Sequence, residues 1–265
     1  MSAPLPAASL DKNVVRIIDM VFPGDTNHHG TLFGGEALAH MDKVAFLAAS
    51  RHGRATFVTA ASDRIDFTAP AHKGELIEAS GRVVRVGSRA LDVEVALVAE
   101  GLLTGERRLC TRGLFTLVAV KEEPPHRPFP RLTDAVPGIE TASDTLHMVD
   151  MVFPPQTNHY GTLFGGDALK MMGKAAFIAA TRHARATMVM AASERVDFRA
   201  PVEQGEMVEL IARVKMTGRS SLRVAVELWA EHLLSGARRC AAKSEFVMVA
   251  VDCNGKPRAY GERQV

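Results

Sequence analysis

The chain has 265 residues, 47% of them hydrophobic and 23% charged, with a formal net charge of +2 at neutral pH. That suits an ordinary globular protein, and it is too mild for a stripe that follows a phosphate backbone. No RNP, zinc-finger or basic-helix motif accompanies it, so a nucleic-acid binder is not expected. Cys110, Cys240 and Cys253 are too few and too irregularly spaced for a disulfide framework or a metal site, and read as reduced thiols. The opening MSAPLPAASLDKN lacks a basic segment followed by an apolar run, and no uncharged apolar stretch is long enough to span a bilayer. A cytoplasmic protein without membrane attachment is expected.

In chain order, an apolar strand runs into VFPGDTNHHGTLFGG at residues 21–35 and then into an Ala-rich segment from 35 to about 51. Leu38, Met41, Asp42, Ala45, Phe46 and Ala49 recur there at helical spacing, which predicts a helix with that side buried. Runs rich in Val, Ile, Leu and Thr follow at 56–67, 75–86, 90–100 and 107–120, broken by Gly74, Gly87 and a turn at 102–105. Alternation is clearest at Leu91, Val93, Val95 and Leu97. Four strands after one helix, with connections too short for crossover helices, predict an antiparallel sheet wrapped on a single helix, an α+β architecture.

The pattern then repeats. Residues 152–166 read VFPPQTNHYGTLFGG, offset by 131, and the offset holds without a gap to the end of each copy. Between 19–70 and 150–201 about 36 of roughly 52 positions are identical, which indicates a duplicated domain and not a short solenoid unit. Each copy is large enough for its own core. The stretch 121–146 carries Pro124, Pro125, Pro128, Pro130 and Pro137 without an apolar period, which predicts an extended linker between domains at 12–120 and 147–253. Such a linker is long enough for the copies to pack as a pseudo-dimer. One acid is not duplicated: Asp42 aligns with Gly173, and nearby Thr59 aligns with Met190.

The apolar opening strand, the P-x-x-T-N-x-x-G-x-x-F-G-G loop, the Ala-rich helix bearing Met41 and Asp42, and the later [IV]-D-F-x-x-P together resemble the acyl-CoA thioesterases of the hotdog superfamily. In particular they resemble the tandem, cytosolic acyl-CoA hydrolase branch, and the likeness covers both copies. It implies a double hotdog with joined sheets, hydrolysis of fatty acyl-CoA to free acid and CoA, and an active site shared by the two domains. It also implies homo-oligomers, most often trimers of the double unit, and no cofactor, since CoA is part of the substrate and product. Residue by residue, it makes Asp42 the catalytic acid on the helix and Asn158 the loop asparagine of the partner domain. Gly166, with Gly165 beside it, becomes the main-chain donor, and Thr59 the hydroxyl that helps the acid hold water.

The chemistry agrees. A thioester is hydrolysed by delivering water to its carbonyl while the oxyanion is stabilised, and a thiolate leaves readily because a thiol pKa lies near 8.5. One carboxylate as general base plus N–H donors is therefore a sufficient kit. Asp42 lies about 10.5 Å along the helix axis from Gly35, too far for both to reach one carbonyl. With the central helices antiparallel across a pseudo-dyad, Asp42 would meet Asn158, Gly165 and Gly166 in one working site per chain. Asn27, Gly34 and Gly35 would meet Gly173 in a degenerate second site. Plainer readings stand beside these: the asparagines as loop residues bonding their own backbone, the glycines as tight helix starts, Thr59 as β-propensity, and Asp66 and Asp197 as partners of Arg64 and Arg195. His28, His29 and His159 have no partners at ligand spacing, so no metal is expected.

An entrance for CoA phosphates is expected at two turns, Ser88 and Arg89 after Gly87, and Arg219, Ser220 and Ser221 after Gly218. Two other functions fit parts of the chain. An enoyl-CoA hydratase on the same fold is suggested by Gly24, Asp25, Thr26 and Asn27, but its histidine position holds Gly30 and the second copy has Gln156 for Asp25. A non-catalytic acyl-CoA-binding regulator is suggested by the copy without an acid.

Overall fold

The computed structural model describes residues 14–120, 128–132 and 145–260. The opening run forms β1 (Val14–Met20), and a single 3-10 turn at Pro23–Asp25 leads into α1 (Gly34–Gly53). Strands β2 (Phe57–Ser62), β3 (Asp66–Phe67), β4 (Leu76–Val86), β5 (Ala90–Glu100) and β6 (Arg107–Ala119) follow. The second copy repeats them as β7 (Thr145–Met151), α2 (Gly165–Ala184), β8 (Met188–Ser193), β9 (Asp197–Phe198), β10 (Met207–Thr217), β11 (Ser221–Glu231) and β12 (Arg238–Ala250). Each copy is one antiparallel sheet, ordered β1-β4-β5-β6-β2 or β7-β10-β11-β12-β8, with β3 and β9 added to β6 and β12. Each sheet wraps one helix, the tandem α+β arrangement that the sequence implies.

Two expectations need correction. The run 56–67 is not one strand, because the ladder on β6 slips between Thr59 and Ala61 and residues 63–65 leave it. Ile65 turns inward there, its Cδ1 2.8 Å from where a Cβ on Gly113 would stand. The helix, for its part, buries Ala37, Met41, Val44, Ala45, Ala48 and Ala49, while Leu38 stays 39% exposed. The buried side is thus rotated from the predicted one and Asp42 sits at its border, which spares a carboxylate full desolvation. Helix and sheet approach closely: a Cβ on Gly81 would lie 2.5 Å from Val44 Cγ1.

The copies pack about a pseudo-two-fold axis. Lys43 pairs with Asp150 and Lys174 with Asp19; Arg51 and Arg54 clamp Glu231 while Arg182 and Arg185 clamp Glu100. Each contact has its mirror 131 residues away, as an isologous interface requires. Arg54 and Arg185 hold left-handed backbone (φ 49° and 48°) at the helix ends, where glycine is usual. Their ion pairs across the seam offset that cost, on the order of 1–2 kcal/mol each. β1 and β7 run side by side, Ile18 and Leu76 enter the second core, and Val149 and Met207 enter the first. The sheets are not joined as the resemblance implies. Among the described residues the ladder partners of β1 all lie on β4 and those of β7 on β10, so side chains hold the seam.

Most of the expected linker, residues 121–127 and 133–144, lies outside the described residues. Phe129 within it packs on Phe57 of the first core, with ring centroids 5.5 Å apart, and Thr145 and Leu146 belong to β7.

Candidate active site

Asp42 stands in the third turn of α1, and its carboxylate accepts a 2.7 Å hydrogen bond from the Thr59 hydroxyl on β2. Thr59 is exposed, so water reaches the pair. In the second copy the Met190 Cε lies 2.9 Å from where a Cβ on Gly173 would stand. A thioether fills the carboxylate's place.

Phe33 and Phe164 hold the cap positions before α1 and α2, and neither helix start has a side-chain cap. The first N–H groups of a helix have no intrahelical acceptor, so here they are open to an outside one. Gly35 and Gly166 each lie tight under the capping ring: a Cβ would lie 2.5 Å from Phe33 Cε1 at Gly35 and 2.9 Å from Phe164 Cε1 at Gly166, so a larger residue would have to displace the exposed phenylalanine.

The asparagines brace their own loops. Asn158 Oδ1 accepts from the N–H of Tyr160 at 2.9 Å and of Thr162 at 3.3 Å, while its Nδ2 donates to Thr162 Oγ1 at 2.9 Å. Asn27 makes the same set with His29 and Thr31. An amide has two N–H groups, so one remains on each asparagine. Asp25 is also a brace, accepting from Phe22 N–H at 3.1 Å, and Gln156 does the same for Phe153 at 2.9 Å. The aspartate behind the hydratase reading is replaceable scaffolding. Asp66 and Asp197 pair with Arg64 and Arg195, at 2.9 and 2.8 Å.

Among the described residues no hydrogen bond or ion pair joins Asp42 to the second copy. Contacts leave α1 from Lys43, whose ammonium pairs with Asp150 and lies 5.2 Å from the Phe153 ring centroid, and from Arg51 and Arg54. The pseudo-dyad therefore passes another flank of the helix. Asp42 and Thr59 are brought together, and so are Asn158, Gly165 and Gly166, but no bond links one group to the other.

Two cavities open at the helix starts, one of about 330 Å³ lined by Asn27, Gly34, Phe67 and Cys110, the other of about 320 Å³ lined by Gly165, Phe198, Arg199 and Leu228. Burial pushes the Cys110 thiol up. Sequence reasoning missed Phe67, Phe198 and Arg199, although D-F-x-x-P recurs in both copies and Arg199 aligns with Thr68. Ser88 and Arg89 are exposed between β4 and β5, as is Arg219 between β10 and β11, with Ser220 and Ser221 half-buried beside it. Among the described residues no group of three or more His, Cys, Asp or Glu is placed to hold a metal ion, and no helix is long and apolar enough to cross a membrane.

A model of the thioesterase superfamily matches residues 29–106 and 160–237, once in each copy and over more than half of the chain. The chain belongs to the thioesterase superfamily. This superfamily member is similar to a crystal structure of an acyl-CoA hydrolase from Agrobacterium tumefaciens, with 48% identity, a TM-score of 0.84, and coverage of 93% of this chain and 97% of that one. It is 38% identical over 112 residues to an uncharacterized acyl-CoA thioester hydrolase of Bacillus subtilis, covering 42% of this chain and 65% of the relative. It is 26% identical over 286 residues to acyl-coenzyme A thioesterase 11 of Mus musculus, covering 92% of this chain. The thioesterase-superfamily chain spans 48% of that mouse protein's length.

Proposed function

We propose that the protein hydrolyses the thioester of fatty acyl-CoA, with water adding to the carbonyl, the C–S bond breaking, and free acid and CoA leaving. The observation that carries the reading is Asp42, held by Thr59 at 2.7 Å at the surface and present in one copy only. Its carboxylate takes the proton of the attacking water. The N–H of Gly166 at an uncapped helix start, supported by Gly165 and the free amide hydrogen of Asn158, stabilises the oxyanion. Ser88 and Arg89, or Arg219, Ser220 and Ser221, hold the CoA phosphates; neither guanidinium has an ion-pair partner among the described residues. The reaction needs no metal or other cofactor. The two domains, 12–120 and 147–253 about a linker at 121–146, work in the cytoplasm as a homo-oligomer, a trimer of the double unit.

Thiol release from a panel of saturated acyl-CoAs tests this reading. Turnover is expected, and it would exclude both a hydratase and a binding-only protein. Tight binding without thiol release would refute hydrolysis and favour the regulator, for which the Gly173 and Met190 side is the motivating observation.

A further inference from the structure

We infer that Arg199 recognises a carboxylate at the far end of the acyl chain, so that the substrates include CoA thioesters of short dicarboxylic acids. The inference rests on the hydrolase reading and names part of its substrate class.

The cavity at the start of α2 is the first reason. Gly165 lines it, so it opens beside the proposed oxyanion donors. Leu163, Ala168, Phe198, Val202 and Leu228 make its walls largely apolar, and Arg199 is the one charged residue that lines it. Arg199 is exposed, and among the described residues neither a hydrogen bond nor an ion pair engages its guanidinium. Two carboxylates stand near it, and both are taken. Asp197 pairs with Arg195 at 2.8 Å, while Glu227 accepts from Lys243 on one oxygen and from Trp229 Nε1 on the other, the latter at 2.8 Å. A solvated cation at the rim of an apolar cavity has an open place for an anion.

The cavity of the first copy is the control. Arg199 aligns with Thr68, whose hydroxyl donates to the carbonyls of Leu109 and Cys110 at 3.2 and 3.1 Å, and no charged residue lines that cavity. The fold thus accepts a neutral residue at this place. The cation stands only at the helix start that the hydrolase reading uses.

Distance selects which anion. Taken as round, a cavity of about 320 Å³ is roughly 8 to 9 Å across, and an extended chain advances about 1.3 Å per bond. An acid about five bonds from the thioester carbonyl therefore reaches the rim while its methylenes lie on the apolar walls. The phosphates of CoA stand about a dozen bonds beyond the sulfur, roughly 15 Å by the same count, too far for this cavity. A carboxylic acid is ionised at neutral pH, and a guanidinium meets the carboxylate with two parallel N–H bonds. Without the cation the same acid would meet apolar walls unpaired, which is costly, so Arg199 decides whether such chains are accepted.

Hexanoyl-CoA and adipyl-CoA test this, since they share a chain length and differ by one terminal carboxylate. Wild-type protein is expected to cleave both. Arg199→Thr, which installs the residue that the first copy carries, should lower kcat/KM for adipyl-CoA about tenfold, the worth of a charged hydrogen bond discounted for exposure, and leave hexanoyl-CoA nearly unchanged. Arg199→Lys keeps the charge and should keep most of the adipyl-CoA activity. An equal loss on both esters that disappears with hexanoyl-pantetheine, which has no phosphate, would overturn the proposal in favour of a CoA phosphate. No loss on either ester, or a wild-type protein that cleaves hexanoyl-CoA and rejects adipyl-CoA, would overturn it as well. A wild-type protein that releases no thiol from any of these would fail the hydrolase reading instead. Calorimetric affinities of the two CoA esters for wild type and Arg199→Thr then decide the inference by themselves, and equal effects of the substitution on both would refute it.

Discussion

Replacing Asp42 with Asn keeps the side chain's shape and lets Thr59 still donate to an oxygen, but removes the proposed base. General-base catalysis contributes about 10²- to 10⁴-fold, so turnover should fall by that factor, roughly 2.7 to 5.4 kcal/mol in barrier. Thr59→Val removes only the 2.7 Å bond. A bond to a charged acceptor is worth about 1.5 to 3 kcal/mol when buried. Thr59 is exposed, so solvent discounts this and the expected loss is about tenfold. Because the two changes act on one contact, the double variant should lose little more than Asp42→Asn alone. Thiol release at saturating acyl-CoA measures all three, with circular dichroism and CoA binding as controls. Asp42→Asn retaining more than about a tenth of wild-type turnover, a shift of only about 1.4 kcal/mol, would refute the assignment of the base.

Four further outcomes are expected. Gly173→Asp alone should stay inert because Met190 Cε fills the space, whereas Gly173→Asp with Met190→Thr, placed in an Asp42→Asn background, should restore thiol release from the second site; a folded but inactive triple variant would show that the Asn27 side has decayed elsewhere. Glu100→Gln strips a buried carboxylate from Arg182 and Arg185 at 2.6 and 2.9 Å and should cost about 3 kcal/mol in denaturant unfolding. Burial raises the Glu78 and Glu209 carboxyls, but Arg107 and Arg182 for the first, and His147, Arg238 and Arg51 for the second, bring them net below 4.5. Their stabilisation is thus full above that value and lost as pH falls through the lower folded pKa, so the melting temperature should drop below about pH 4.5; a flat profile would contradict the clamps. Gly81→Ala should cost about 1 to 3 kcal/mol by overpacking Val44, and Val44→Ala should recover most of it, since the second copy carries Ala175 and Ala212 at those positions.

The fold was legible because its signals are local. The alternation at Leu91, Val93, Val95 and Leu97 maps onto side chains that are all buried in β5, and the GG pair marks both helix starts. The rotation of α1 was not legible, since Leu38 and Asp42 share the 3.6 period with Met41 and Ala45 and only the curve of the sheet decides which of them it covers. The pairing of Asp42 with Thr59 could be anticipated from their joint replacement by Gly173 and Met190. The place of the pseudo-dyad could not. It is fixed by long-range ion pairs of Glu100 and Glu231 with arginines more than eighty residues away, and the sequence offers no periodicity for them.

Duplication separates what holds this chain together from what it does. The clamps, the asparagine braces and the glycine starts recur in both copies with nearly the same geometry, so they belong to the fold whatever chemistry follows. At two pairs of touching positions the copies differ together. Val44 with Gly81 becomes Ala175 with Ala212, a transfer of bulk from helix to sheet, and both alanines are buried in the second core. Asp42 with Thr59 becomes Gly173 with Met190, and there the replacement keeps only the volume. A carboxylate alone against Met190 would lose its hydrogen bond, and a threonine alone against Gly173 would leave a gap, so neither single change is comfortable. Exchanging both gives a close-packed apolar pair, at the cost of about 1 kcal/mol for a glycine inside α2, and removes the carboxylate. The polar pair in the first copy is therefore not demanded by the fold, which accepts the alternative 131 residues later, and its retention there points to the chemistry.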